Sequence, residues 1–247
     1  MIDDPVFWLC AVFAVLITGV SKGGMGGMAV FAVPLMALTI SPVQAAGIML
    51  PILVVMDGFT VTAYRKHWDK KLVFFMLPFA VAGIALGGLL AQCVSEDFVR
   101  ICIGIIALSF VAFSVIKPAA DGGFIRGNTY MAALCGALSG FTSFLAHAGG
   151  PPFKIYALPQ GLPPRIFAGS AAIFFAVVNM TKLLPYALLG QLSGANLKTS
   201  LVLIPLAPIG VWTGVWLVKK IDPVVFYRIM YSLLTVVGLK LLWDGLV

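Results

Sequence analysis

Charge is what this sequence has least of. Only 10% of its 247 residues are Asp, Glu, Lys or Arg, whereas 61% are hydrophobic. A water-soluble domain carries about 25% charged residues, so a soluble enzyme, a nucleic-acid binder and a disordered chain are all excluded at the outset. The mean hydropathy of +1.08 agrees. The net charge of +7 does not argue for nucleic acid, because in so apolar a chain it reflects Lys and Arg gathered in cytoplasmic loops. Histidine is nearly absent, at two residues, which leaves no His-built metal or haem site to expect. The four cysteines (Cys10, Cys93, Cys102, Cys135) are scattered without CxxC spacing, so neither a metal centre nor a disulfide framework is indicated. No cofactor is expected. A basic leader is also missing. Asp3 and Asp4 stand before the first apolar run, Val6 to Val20, so that run reads as part of the fold and not as a signal peptide. What remains is an all-α integral membrane protein, whose partners begin with the lipid bilayer.

A spanning helix needs about 20 apolar residues. Val43 to Ala63, Leu72 to Gln92, Phe98 to Ile116, Ile166 to Leu188, Thr199 to Val218 and Val224 to Trp243 meet that length. Four further segments are shorter or punctuated by glycine: Val6 to Val20, Met25 to Thr39, Tyr130 to Ala146 and Pro151 to Leu158. They form two pairs, each meeting at a Gly-rich joint, and predict half-helices or a broken hairpin within eight to ten membrane segments. The basic loop Arg65-Lys66-His67-Trp68-Asp69-Lys70-Lys71 belongs in the cytoplasm. The acidic loop around Ser95-Glu96-Asp97 fits the outside, and the Lys117 to Arg126 linker and Lys219-Lys220 return to the inside. Both termini then lie outside.

The two halves repeat. Pro42, Ala46, Gly47, Asp57 and Tyr64 align with Pro164, Ala168, Gly169, Asn179 and Tyr186 at a constant offset of 122. Lys71, Pro78, Ala80, Gly83, Gly87 and Leu90 align with Lys198, Pro205, Ala207, Gly210, Gly214 and Leu217 at 127. Phe98, Arg100 and Ile101 align with Phe226, Arg228 and Ile229 at 128. Matches of Pro, Gly and polar residues at fixed spacing outrun what apolar helices share by chance. The chain therefore divides into repeat 1 (6–116), a linker (117–128) and repeat 2 (129–245) within one transmembrane domain. Each half makes an odd number of crossings, which inverts the second relative to the first. Inverted repeats with broken helices characterise secondary transporters, with the substrate near the midplane between the repeats.

The joints carry the candidate site. The first contains Lys22, Gly23, Gly24, Gly26 and Gly27; the second contains Ser143, His147, Gly149 and Gly150, followed by Pro151 and Pro152. A helix starting at such a joint aims free N–H groups and a positive dipole end at the break, which suits an anion. Gly83/Gly87 and Gly210/Gly214 read instead as close helix packing. Ionisable groups within apolar spans have a partner or a task. Asp57 and Asn179 are repeat equivalents, and Lys182 lies one helical turn beyond Asn179. The symmetry leaves open a buried Asp57–Lys182 pair or two unrelated polar contacts. Lys22, Ser143, His147, Asn179 and Lys182 are the side chains expected at a small anionic substrate, and Asp57 and His147 those expected to couple protons. Lys154 is expected to snorkel to the cytoplasmic surface.

On Gly19, Lys22-Gly23-Gly24-Met25-Gly26-Gly27, Pro34-Leu35 and Ser41-Pro42 in the first half, and Gly136, Gly140, His147-Ala148-Gly149-Gly150-Pro151 and Ala168-Gly169-Ser170 in the second, the chain resembles the TauE/SafE family of sulfite and organosulfonate exporters. The resemblance implies movement of small sulfur-containing or carboxylate anions across the bacterial cytoplasmic membrane, coupled to the proton gradient. Two alternatives stay open. An intramembrane enzyme would rest on Ser143 and His147, four residues apart, and an anion channel would need no coupling. Whether the chain forms a homo-oligomer is also left open.

Overall fold

Proline and short polar side chains set where the helices begin. Pro5, Pro42 and Pro164 each open a long helix, where a missing N–H costs nothing. Asp4, Ser41, Asp69, Asn128 and Ser193 cap helix starts by accepting backbone N–H groups, which satisfies donors that the helices cannot. The computed structural model of the chain describes residues 2, 4–25, 28–91, 93–115, 127–217 and 223–247. The expected linker 117–126, Gly26 and Gly27 of the first joint, and Lys219-Lys220 lie outside the described residues.

Helix α1 (Pro5–Val20) runs into a turn of π-helix (Ser21–Met25), a 3-10 turn (Met28–Phe31) and the short α2 (Ala32–Met36). Long helices α3 (Pro42–Tyr64), α4 (Lys70–Leu90) and α5 (Glu96–Val115) complete the first half. The second half repeats this order: α6 (Thr129–Ala146), the short α7 (Gly150–Ala157), then α8 (Pro164–Leu188). The expected single span from Thr199 is broken. It consists of α9 (Gly194–Leu203) and α10 (Leu206–Leu217), bent by 45° between them. Helix α11 (Pro223–Leu246) closes the chain. No strand occurs among the described residues, and six helices are long and apolar enough to cross a membrane. With apolar side chains such as Leu9, Phe74, Leu86, Leu184, Trp212 and Trp243 facing outward, this is a multi-pass membrane protein whose outer surface is solvated by lipid.

The packing exchanges between halves. Helix α4 lies along α6, and its repeat counterpart α10 lies along α1. The third helices, α3 and α8, cross each other, and the fifth, α5 and α11, pair. Glycines allow the approach. A Cβ on Gly83 or Gly140 would collide with the carbonyl of Ala137 or Ala80 respectively, and one on Gly19 or Gly214 would strike the α10 or α1 backbone. Gly47 on α3 abuts Gln191 O in the loop after α8. Its repeat equivalent Gly169 on α8 abuts His67 O in the loop after α3. So α3 and α8 run antiparallel, with Asp57 and Asn179 near their crossing.

Candidate functional site

At that crossing Asn179 Nδ2 donates to Asp57 Oδ2 at 2.6 Å. The other carboxylate oxygen accepts from Lys22 Nζ, forming an ion pair. Lys22 reaches it from the π turn, whose extra residue widens the chain as it leaves α1. Asp57 is thus spent on Lys22 and Asn179, and the pairing with Lys182 that the repeat left open is not formed.

Lys182 is fully buried and has its own partners. Its Nζ donates to Ser143 O and Ser143 Oγ, both at 3.0 Å, and lies 2.7 Å from His147 Nδ1. His147 Nε2 lies 3.0 Å from Ala46 O. A carbonyl only accepts, so Nε2 carries the proton and Nδ1 is the acceptor. Three acceptors around Lys182 match the three donors of an ammonium. Ser143 and His147 therefore do not bond each other through their side chains; Lys182 stands between them. The Ser143–His147 side-chain bond that the enzyme alternative calls for is not formed in this arrangement.

His147 caps α6 in the left-handed region, at φ 53°. Its N–H bonds Ser143 O, and the N–H of Ala148 bonds Thr142 O, the usual closure of a helix end where glycine is preferred. A histidine tolerates that backbone less well, and here it turns the imidazole onto both Lys182 and α3.

Beside these groups lies a cavity of about 380 Å³. Lys22, Ser143, His147, Gly150 and Asn179 line it, whereas Asp57 and Lys182 stand behind that lining. Gly149 is not among the lining residues, and its carbonyl accepts from Ser139 Oγ at 2.7 Å. Gly23 and Gly24 belong to the π turn.

Of the free helix N–H donors expected at the joints, those of Gly26 and Gly27 lie outside the described residues, and several of the others are taken or missing. Ser21 Oγ accepts from Met28 N and Ala29 N at 3.0 and 3.2 Å, so those donors are taken. At the second joint α7 does start at Gly150, but Pro151 and Pro152 supply no N–H. Lysines stand at the cavity as well. Lys154 also lines the cavity, its ammonium making no hydrogen bond or ion pair among the described residues. The sequence places it at the surface, and only the direction of α7 reveals otherwise. Phe167, Phe175 and Tyr64 give the cavity an apolar wall that sequence reasoning missed. Among the described residues no group of His, Cys, Asp and Glu is arranged to hold a metal.

No curated protein and no solved structure matches the chain. The family model described as sulfite exporter TauE/SafE matches residues 11–241. With nearly the whole length matched, the chain belongs to the TauE/SafE sulfite exporter family.

Proposed function

We propose that this protein is a secondary transporter of small anions, sulfite, organosulfonates or related sulfur-containing or carboxylate anions, working by alternating access and not as an enzyme. The observation that carries the reading is the charge around the cavity: Lys22 and Lys154 line it and Lys182 stands behind, set among the described residues there against the one carboxylate of Asp57. Unpaired positive charge away from water is costly, and an anion bound in the cavity offsets it. Lys154 and Lys22 meet the substrate directly. Lys182 acts from behind, by holding Ser143 and His147 in place. Membership of a sulfite exporter family supports the sulfur-containing part of that substrate class. Coupling to protons is assigned to Asp57 and His147, the groups that join the joints to the α3–α8 crossing. The protein sits in the bacterial cytoplasmic membrane with both termini outside, its two inverted repeats bounded at 6–116 and 129–245.

The test is a thermal-shift series on the purified protein with sulfite, sulfonates, thiosulfate, sulfate and short carboxylates. A ligand bound only by the folded state raises its stability by RT ln(1 + [L]/Kd), about 2.7 kcal/mol at a hundredfold excess over Kd. Stabilisation by one anion class, reduced at least tenfold in apparent affinity by Lys154→Met, is the expected result. Equal affinities in the two proteins remove Lys154 from the site, and no stabilisation by any anion overturns the reading.

A further inference from the structure

The cavity is one-sided. Along α3 its lining comes from Leu53, Thr60 and Tyr64 in the helix's later part, and along α8 from Pro164 to Asn179 in the earlier part. Because the two helices run antiparallel, both stretches lie toward the same face. The opposite face has equivalent residues at the repeat offset of 122: Met49 for Ala171, Lys182 for Thr60 and Tyr186 for Tyr64. The first set lines open space, whereas Met49, Lys182 and Tyr186 are 0%, 0% and 1% exposed. One face is open and the other is sealed.

The seal is specific. Tyr186 Oη donates to Phe144 O at 2.6 Å, and the two rings meet edge-on at 5.1 Å between centroids. Lys182 is tied to Ser143 beside it. Gly83 on α4 meets Ala137 O of α6, and its counterpart Gly210 on α10 meets Leu16 O of α1, an offset of 121 that also pairs Gly140 with Gly19. Counting on from them, Gly23 stands where Phe144 does and Lys22 where Ser143 does. Yet the Tyr64 hydroxyl makes no hydrogen bond among the described residues, and the Thr60 hydroxyl is turned onto its own helix at Asp57 O. The bonds of the sealed face have counterpart pairs on the open face, and among the described residues no hydrogen bond joins those pairs.

We propose that Tyr186 and Tyr64 are alternating gates. In the opposite state Tyr186 leaves Phe144 O, and Tyr64 Oη docks on the backbone carbonyl of Gly23. Gly23 brings no ring to meet Tyr64, so that second seal lacks the edge-on aromatic contact, and the protein rests with the Tyr64 face open. This rests on the alternating-access reading above and names the contacts that would carry it.

The experiment uses the full chain in proteoliposomes, with its four cysteines replaced by alanine and single reporters Met49→Cys or Ala171→Cys. A small thiol reagent should label the Ala171→Cys reporter quickly and the Met49→Cys reporter slowly. Tyr186→Phe removes one hydrogen bond from the resting state and should speed Met49→Cys labelling about two- to tenfold, the range set by the net worth of one such bond. Tyr64→Phe removes the bond of the opposite state, so it should slow the same labelling by a like factor. Opposite signs are the signature of paired gates; mere loosening of packing gives the same sign in both variants or no response to Tyr64→Phe, and either overturns the proposal. Anion flux in the same vesicles separates the two claims. Opposite-signed labelling without anion flux keeps the gates and discards the substrate reading. Intact flux with same-signed labelling discards the gates alone.

Discussion

A charged side chain held out of water survives only where its partners are close, and Asp57 and Lys22 are each other's principal partner. Changing Asp57→Asn leaves the Lys22 ammonium without a carboxylate, and changing Lys22→Met leaves the carboxylate to Asn179 alone. Each single change should cost about 2–4 kcal/mol, toward the low end because Lys22 borders the cavity. The double variant strands no charge and should recover at least half of the summed loss. Denaturation of the four proteins in detergent closes the cycle, and a coupling energy below about 0.5 kcal/mol means the pair is not formed in solution. Part of this site is legible in the repeat, because the constant offset sets Asp57 against Asn179, and the two side chains do bond. The repeat does not show that Lys22 folds back onto Asp57, since that depends on the path of a glycine-rich turn with no periodicity to read. Lys154 escapes sequence reasoning for a similar reason. A lysine on a short segment looks the same in sequence whether it meets lipid headgroups or a cavity.

At the scale of helices, the glycines divide into those that let backbones touch and those that do not. Gly83 and Gly140 lie against carbonyls across the α4–α6 contact, and a Cβ there must push the helices apart. Gly83→Ala and Gly140→Ala should each destabilise by about 1–3 kcal/mol, as overpacking does. Gly58, within α3, has nothing within 4 Å of an added Cβ. Gly58→Ala should stabilise by about 0.5–1 kcal/mol, because alanine loses less freedom on entering a helix. Thermal unfolding in detergent reads both, and shifts of one sign at all three positions would defeat the close-approach account. Most helix starts are legible in the sequence because Pro and capping residues mark them chemically. The break between α9 and α10 is not. Pro205 falls within it, whereas its repeat equivalent Pro78 sits inside the unbroken α4. The same residue at the same place in the repeat bends one helix and not the other, so packing decides, and packing is not written locally.

For the whole molecule, the exchange of partners between halves ties the fold to its orientation. If α4 lies along α6 as α10 lies along α1, and α3 crosses α8 antiparallel, a half-turn about an axis in the membrane plane relates the halves. Loops that correspond under that rotation then lie on opposite sides of the membrane. The basic loop between α3 and α4 and the stretch after α8 around Gln191 are such a pair, each abutted by the other half's equivalent glycine. Under the proposed orientation positive charge holds the first in the cytoplasm, and the second and the turn between α4 and α5 then belong outside. Cys93 lies in that turn and is exposed, so the native chain carries its own reporter. In sealed right-side-out vesicles an impermeant maleimide should label Cys93 without permeabilisation. Lys70 at the start of α4 and Ala195 at the start of α9 are both exposed and serve as reporters for the two loops. With Cys93 replaced by serine, Lys70→Cys should label only after the membrane is opened, and Ala195→Cys should behave like Cys93. Protection of Cys93 together with free labelling of Lys70→Cys would reverse the orientation while leaving the inverted relation intact. Labelling of Lys70→Cys and Ala195→Cys from the same side would abolish the inversion itself, and with it the argument that places a substrate between two opposed halves.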